Sequence, residues 1–130
     1  MTVHLDTDFF IYAVSMRGWE RARLLQVAES DQAIEMSAVA WYEFCRGPRL
    51  PEQIALARSF LAPHGIIAFE EEIAAASAEV FRQLGSPRRR AADIAIGVTA
   101  RTRGATLLSR NARDFAGISG LDVQDETFEL

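Results

Sequence analysis

A chain of 130 residues holds one domain, spanning 1–130, and is long enough to bury a core without disulfides or a structural metal. With 49% hydrophobic and 25% charged residues, it is globular rather than disordered. The net charge of −4 runs against a simple nucleic-acid binder, and all 14 basic residues are Arg, which excludes P-loop, Schiff-base and Ser–Lys chemistry.

Val3-His4-Leu5 is a short apolar run ending at Asp6, which predicts a first strand. Asp8-Phe9-Phe10-Ile11-Tyr12-Ala13 opens a helix with Asp8 near its N-cap. A second helix is predicted from Trp19 to Ser30, and Ile34-Glu35-Met36 predicts a second strand. Ser37 then caps a helix that runs to about Arg46 and stops at Gly47-Pro48. Pro51 suits the first turn of the next helix, which carries Ile54, Ala57 and Leu61 and ends at Pro63. Ile66-Ile67-Ala68 is a third strand, and Glu70, Glu71 and Glu72 favour a helix start through the macrodipole. Ile73, Ala76, Val80 and Leu84 line one face of that helix, and Gly85-Ser86-Pro87 breaks it. Ala91 to Arg103 is apolar almost all round, which predicts a well-buried helix ended by Gly104. Thr106-Leu107-Leu108 is a strand, Asn111 to Phe115 a short turn, and Leu121-Asp122-Val123 a last small strand.

Strands alternating with helices predict an α/β fold with a mainly parallel central sheet and helices on both faces. In such sheets the functional crevice lies at the carboxyl ends of the strands. Cys45 is alone, and no Cys/His cluster is present for zinc. The first residues lack a basic segment before an apolar one, and no apolar run nears the roughly 20 residues of a membrane span. A cytoplasmic protein with no membrane association is expected.

The acids fall on this map in a pattern. Asp6 and Asp8 follow the first strand, and Glu43 sits six residues beyond Ser37, roughly 9 Å along its helix. Asp93 lies in the first turn of the apolar helix, and Asp114 follows the strand at Thr106-Leu107-Leu108. Four β→α segments therefore bring a carboxylate toward one edge of the sheet. Taken singly, each acid has an ordinary explanation as a cap, a dipole partner or a turn residue. Two details weigh against that. Glu43 lies among Trp41, Tyr42, Phe44 and Cys45, and Asp93 lies within Ala91-Ala92-Asp93-Ile94-Ala95-Ile96, where an unpaired charge is costly. Crowded carboxylates stay ionised only around a cation, and hard ions such as Mg²⁺ or Mn²⁺ take all-oxygen sites. Such a site serves phosphodiester hydrolysis.

Leu5-Asp6-Thr7-Asp8 with Phe9 to Ala13, Ser37-Ala38-Val39-Ala40-Trp41-Tyr42-Glu43 with Gly47, Ala92-Asp93-Ile94-Ala95-Ile96, and Gly104 to Phe115 occur in an order and spacing that resemble PIN-domain ribonucleases. Within that family the chain resembles the VapC-type toxins of bacterial toxin–antitoxin pairs. The resemblance covers essentially the whole chain. It implies a three-layer α/β/α sandwich and a metal-dependent endoribonuclease. It also implies catalytic and metal-holding roles for Asp6, Glu43 and Asp93. For the fourth acid the local motif offers Asn111 or Asp114, and Asp114 is favoured because it keeps the charge. Ser109 stands where the family usually has Thr, and Asp8 where it often has Asn; Asp8 adds a charge that can join the site. A homodimer, an RNA substrate and a small antitoxin partner, whose tail can block the site, are also implied.

Other features carry two readings. The run Arg88-Arg89-Arg90 before Asp93 reads as a solvated loop or as a phosphate contact, and Arg110 and Arg113 share the second possibility. His4 and His64 have no Ser, Cys or acid at catalytic spacing. Asp6-Thr7-Asp8 also resembles the paired aspartates of haloacid-dehalogenase-like phosphatases. That family relies on a basic residue, usually Lys, and leaves Glu43 unexplained. A non-catalytic PIN-like binding module is the other alternative, and the complete acidic set weighs against it.

Overall fold

The computed structural model describes residues 1–126. Five strands form one fully parallel sheet in the order β3-β2-β1-β4-β5: β1 Thr2–Leu5, β2 Ala33–Ser37, β3 Ile66–Ile67, β4 Thr106–Leu108 and β5 Asp122–Gln124. The strands are short and buried on both faces, as parallel strands between helical layers must be; Leu5, Met36 and Leu107 are wholly inaccessible. Among the described residues there are six helices: α1 Thr7–Ser15, α2 Trp19–Ala28, α3 Ala38–Cys45, α4 Pro51–Arg58, α5 Glu71–Gln83 and α6 Ala91–Thr102. α1 packs with α2 and α5 with α6, and α6 lies across β2 and β4. This is the three-layer α/β/α architecture expected from the sequence. No helix among the described residues is long and apolar enough to cross a membrane.

Several boundaries differ from the sequence expectation. α1 starts at Thr7, and its N-cap is Asp6, not Asp8; the Asp6 carboxylate accepts the Thr7 amide at 2.7 Å. Asp8 is thereby left in the first turn with its side chain exposed. α2 stops at Ala28 rather than Ser30, where the Ser30 hydroxyl folds back onto the Val27 carbonyl. α4 ends at Arg58, well before Pro63, because Arg58 turns onto the carbonyls of Ala62 and Pro63 and closes a turn that the helix would have to unwind. β3 omits Ala68, and β5 runs over Asp122–Gln124 rather than Leu121–Val123. Leu121 packs on the core instead. The arginine run is not a free loop: Arg88–Arg90 is a 3-10 turn.

Gly65 sets the turn into β3. Its amide donates to the Ala62 carbonyl and its own carbonyl accepts the Met36 amide, both at 2.8 Å. A Cβ at this position would stand 2.8 Å from the Ala62 oxygen and 2.9 Å from the Ile34 oxygen. Both are backbone atoms held by hydrogen bonds and cannot yield. Gly65→Ala is therefore expected to cost about 2 kcal/mol, as overpacking does. Urea unfolding checks this, and a wild-type midpoint would show that the turn has room.

A buried polar cluster links the sheet to α6. His4 and Glu35 are register partners on β1 and β2, and His4 Nε2 lies 2.8 Å from Glu35 Oε1. Arg103, just past the end of α6, donates to both oxygens of the same carboxylate, at 3.1 and 2.8 Å. Burial pushes the Glu35 carboxyl up, but the hydrogen bonds and charges of Arg103 and His4 outweigh it and hold the group below its usual range. His4 is held below its usual value by burial, so its Nε2 carries the proton given to Glu35.

Candidate active site

The proposed acids come from separate segments of the chain, and only some of these directly follow a strand. Asp6 follows β1, Glu43 projects from α3 after β2, Asp93 is in the first turn of α6, and Asp114 lies in the 3-10 turn Ala112–Phe115 after β4. The structure brings all four, with Asp8, to one open cleft of about 210 Å³; Thr7, Ile11 and Arg46 complete its lining.

The cleft is built by contacts between distant segments. The Ser109 hydroxyl donates to Asp6 Oδ2 at 3.0 Å while accepting the Asn111 amide, also at 3.0 Å. Asp6 is thus gripped from both sides, by Ser109 and by the Thr7 amide. The Thr7 hydroxyl donates to Glu43 Oε1 at 2.7 Å, orienting an acid 36 positions away. Asn111, the alternative to Asp114, is a second-row partner here: its Nδ2 donates to Asp114 Oδ1 at 3.2 Å. Thr7 and Arg46 were not singled out from the sequence. Thr7 adjoins Asp6, and Arg46 stands three positions after Glu43 on one helical face, which is the available signal.

The electrostatics are strained. Burial, together with the charges of Asp93 and Asp8, raises the Asp6 carboxyl to about 7 despite the hydrogen bonds from Ser109 and Thr7. Burial, then the charges of Asp114, Glu43 and Asp8, raises Asp93 to about 6, with Arg90 opposing. Asp6, which is buried, and Asp93, which is half-buried, therefore hold their protons to a higher pH than ordinary aspartates do. A cluster in this state takes up positive charge readily.

Of the arginines singled out from the sequence, Arg90 and Arg110 are engaged inside the protein, while Arg88, Arg89 and Arg113 are exposed and do not line the cleft. Arg90 donates to the backbone carbonyls of Asp114 and Ala116, which ties the start of α6 to the Asp114 turn. Arg110 pairs with the buried carboxylate of Glu20 at 2.8 Å, and its guanidinium lies 3.5 Å from the Tyr12 ring centroid. It fastens the segment after β4 to α1 and α2.

A family model for the PIN domain matches residues 3–121. The chain belongs to the PIN domain family. Among solved structures, this PIN domain is similar to VapBC2 from Rickettsia felis bound to a DNA fragment from their promoter, with a TM-score of 0.74 and 20% identity over 96% of this chain and 98% of that one. It is similar to a toxin–antitoxin complex from Klebsiella pneumoniae, with a TM-score of 0.69 and 27% identity over 92% and 94%. FitAcB from Neisseria gonorrhoeae gives a TM-score of 0.69 and 21% identity over 95% and 96%. No curated protein matches the sequence.

Proposed function

We propose that residues 1–130 form one PIN nuclease domain, a metal-dependent endoribonuclease acting as the toxin of a toxin–antitoxin pair. The observation that carries this reading is the convergence of Asp6, Glu43, Asp93 and Asp114, from four separate segments, on one cleft. Bringing four carboxylates together costs free energy through repulsion and desolvation, so stability does not account for the arrangement.

The donor set suits a hard divalent cation. Every candidate ligand is a carboxylate oxygen; Asp6 is raised by burial and by the charges of Asp93 and Asp8, and Asp93 by burial and by the charges of Asp114, Glu43 and Asp8. Among the described residues no three acidic, His or Cys side chains converge closely enough to grip an ion unaided. That fits Mg²⁺ or Mn²⁺, which binds through one or two carboxylates and keeps several waters. Asp6, Glu43, Asp93 and Asp114, which line the cleft together, are the residues that would hold it. When bound, such an ion neutralises charge on a phosphodiester under attack and activates water. The protein's own work is positional. Ser109 and the Thr7 amide orient Asp6, the Thr7 hydroxyl orients Glu43, and Asn111 orients Asp114. The phosphatase alternative gives Glu43 no task.

The similarity to toxin–antitoxin complexes supports a small antitoxin protein as partner and a cytoplasmic setting, and the family resemblance supports a homodimer. The test uses protein purified free of any partner and incubated with total RNA. Discrete fragments are expected with Mg²⁺ or Mn²⁺, and none with EDTA or with Asp93→Asn. No cleavage by folded protein would move the assignment to a phosphatase or a binding module. Cleavage that survives Asp93→Asn would remove Asp93 from the site.

A further inference from the structure

We infer that Arg46 and Tyr42 form the substrate-entry rim of the cleft, where Arg46 receives a phosphate of the incoming strand and Tyr42 offers a stacking face to an unpaired base. This deepens the nuclease reading and rests on it. An acidic cleft repels a polyanion, so the strand needs a cation at the mouth. Among the described residues lining the cleft, Arg46 is the one basic residue. Its side chain is 58% exposed, and its contact with Glu43 Oε2 is long, at 3.7 Å. Glu43's other oxygen already takes the short bond from Thr7, so Arg46 can leave Glu43 without undoing that carboxylate's position.

Arg90 makes the contrast clear. It stands beside Asp93, but two backbone carbonyls occupy its guanidinium. Arg110 is likewise engaged, between Glu20 and Tyr12. Arg46 has no such partner; its remaining contact is the face of Tyr42, at 5.3 Å from guanidinium to ring centroid. Tyr42 is 62% exposed, an unusual position for a large aromatic with no core role. Tyr42 on α3 and Arg46, the C-cap of that helix, lie four positions apart and so share one face. A guanidinium beside an exposed ring is the pairing that single strands use: charge for the backbone and a π-face for a base, with no demand for sequence. Duplex RNA, whose bases are stacked inside, would use only the charge.

The test measures binding of a short fluorescein-labelled single-stranded RNA to full-length Asp93→Asn protein, with NaCl titrated. Arg46→Gln is expected to lower the slope of log K against log salt by about 0.7, the value of one lost phosphate contact on a single strand. Arg46→Lys should restore the slope. Tyr42→Ala should weaken binding roughly tenfold with the slope unchanged, and Tyr42→Phe should rescue it. The Tyr42 effect should vanish on a fully paired RNA. Equal affinity and slope in Arg46→Gln would overturn the assignment while leaving the nuclease reading intact. So would weakened retention of a co-expressed antitoxin with RNA binding unchanged, since the rim would then serve that protein. If the parent binds no RNA and the wild type cuts none, the nuclease reading fails, and this one with it.

Discussion

Asp6→Asn is expected to reduce RNA cleavage by at least about 10³-fold while making the metal-free protein more stable above pH 7. A thousandfold loss corresponds to about 4 kcal/mol of transition-state stabilisation, which is within reach of a lost metal contact. The gain in stability follows from the carboxyl's raised position, about 7 against an ordinary 3.8. Between those values the native protein holds a proton that the unfolded chain has released. Stability therefore falls as pH rises from about 4 to about 7, and the full penalty stands above that. Three units amount to about 4 kcal/mol at most. Asn replaces one of the two accepting oxygens with a donor, which disturbs the Ser109 bond, so a net gain of about 1–2 kcal/mol is expected.

His4 acts in the opposite direction. Its native value lies below 6.5, so the unfolded chain gains protons first and stability falls as pH drops through that range. The contribution of Asp6 is thus read from the difference between wild type and Asp6→Asn, by urea unfolding in EDTA at pH 5 and pH 8. The difference should be small at pH 5 and open at pH 8, and Mg²⁺ should close it by stabilising the wild type alone. An inactive variant no more stable than wild type at pH 8 would mean that the carboxyl carries no desolvation strain. An active one would take Asp6 out of the chemistry.

Glu35→Ala is expected to be the costliest polar substitution outside the cleft, at about 3 kcal/mol. The carboxylate is buried and serves three donors at once: His4 Nε2 and two nitrogens of Arg103. Arg103 is 46% exposed in its side chain and can turn to water, so little of the cost lies there. Most of it falls on His4, which is wholly buried and whose Nδ1 already lacks a partner among the described residues. Glu35→Gln keeps an acceptor for His4 and should cost about 1 kcal/mol. Urea midpoints for the pair decide it. Equal losses in Ala and Gln would place the energy in charge pairing with Arg103 rather than in satisfying His4.

Much of the candidate site was legible in the sequence for a simple reason. In a parallel α/β sheet every strand must end at the same edge before its crossover, so acids placed just after strands collect there whatever the strand order. The apolar runs and helical stripes that mark those strand ends are local patterns. Even Asp93 was visible locally, as a charge set in an otherwise apolar helix start. The capping residue was less legible, because Asp6 and Asp8 are both good N-caps. The choice fell to Asp6 once Ser109, 103 positions away, took its other oxygen.

Element types, the parallel α/β class and the candidate acids are legible in local sequence, since hydrophobic period and turn chemistry act over a few residues. Tertiary structure alone decided the order β3-β2-β1-β4-β5, the bond from Thr7 to Glu43, and the sorting of the arginines. Arg90 and Arg110 are drawn onto carbonyls, a carboxylate and a ring within the molecule, while Arg46 is left at the cleft mouth. Nothing in the local sequence separates these three. What separates them is which partner the packing of distant segments brings within reach of each guanidinium.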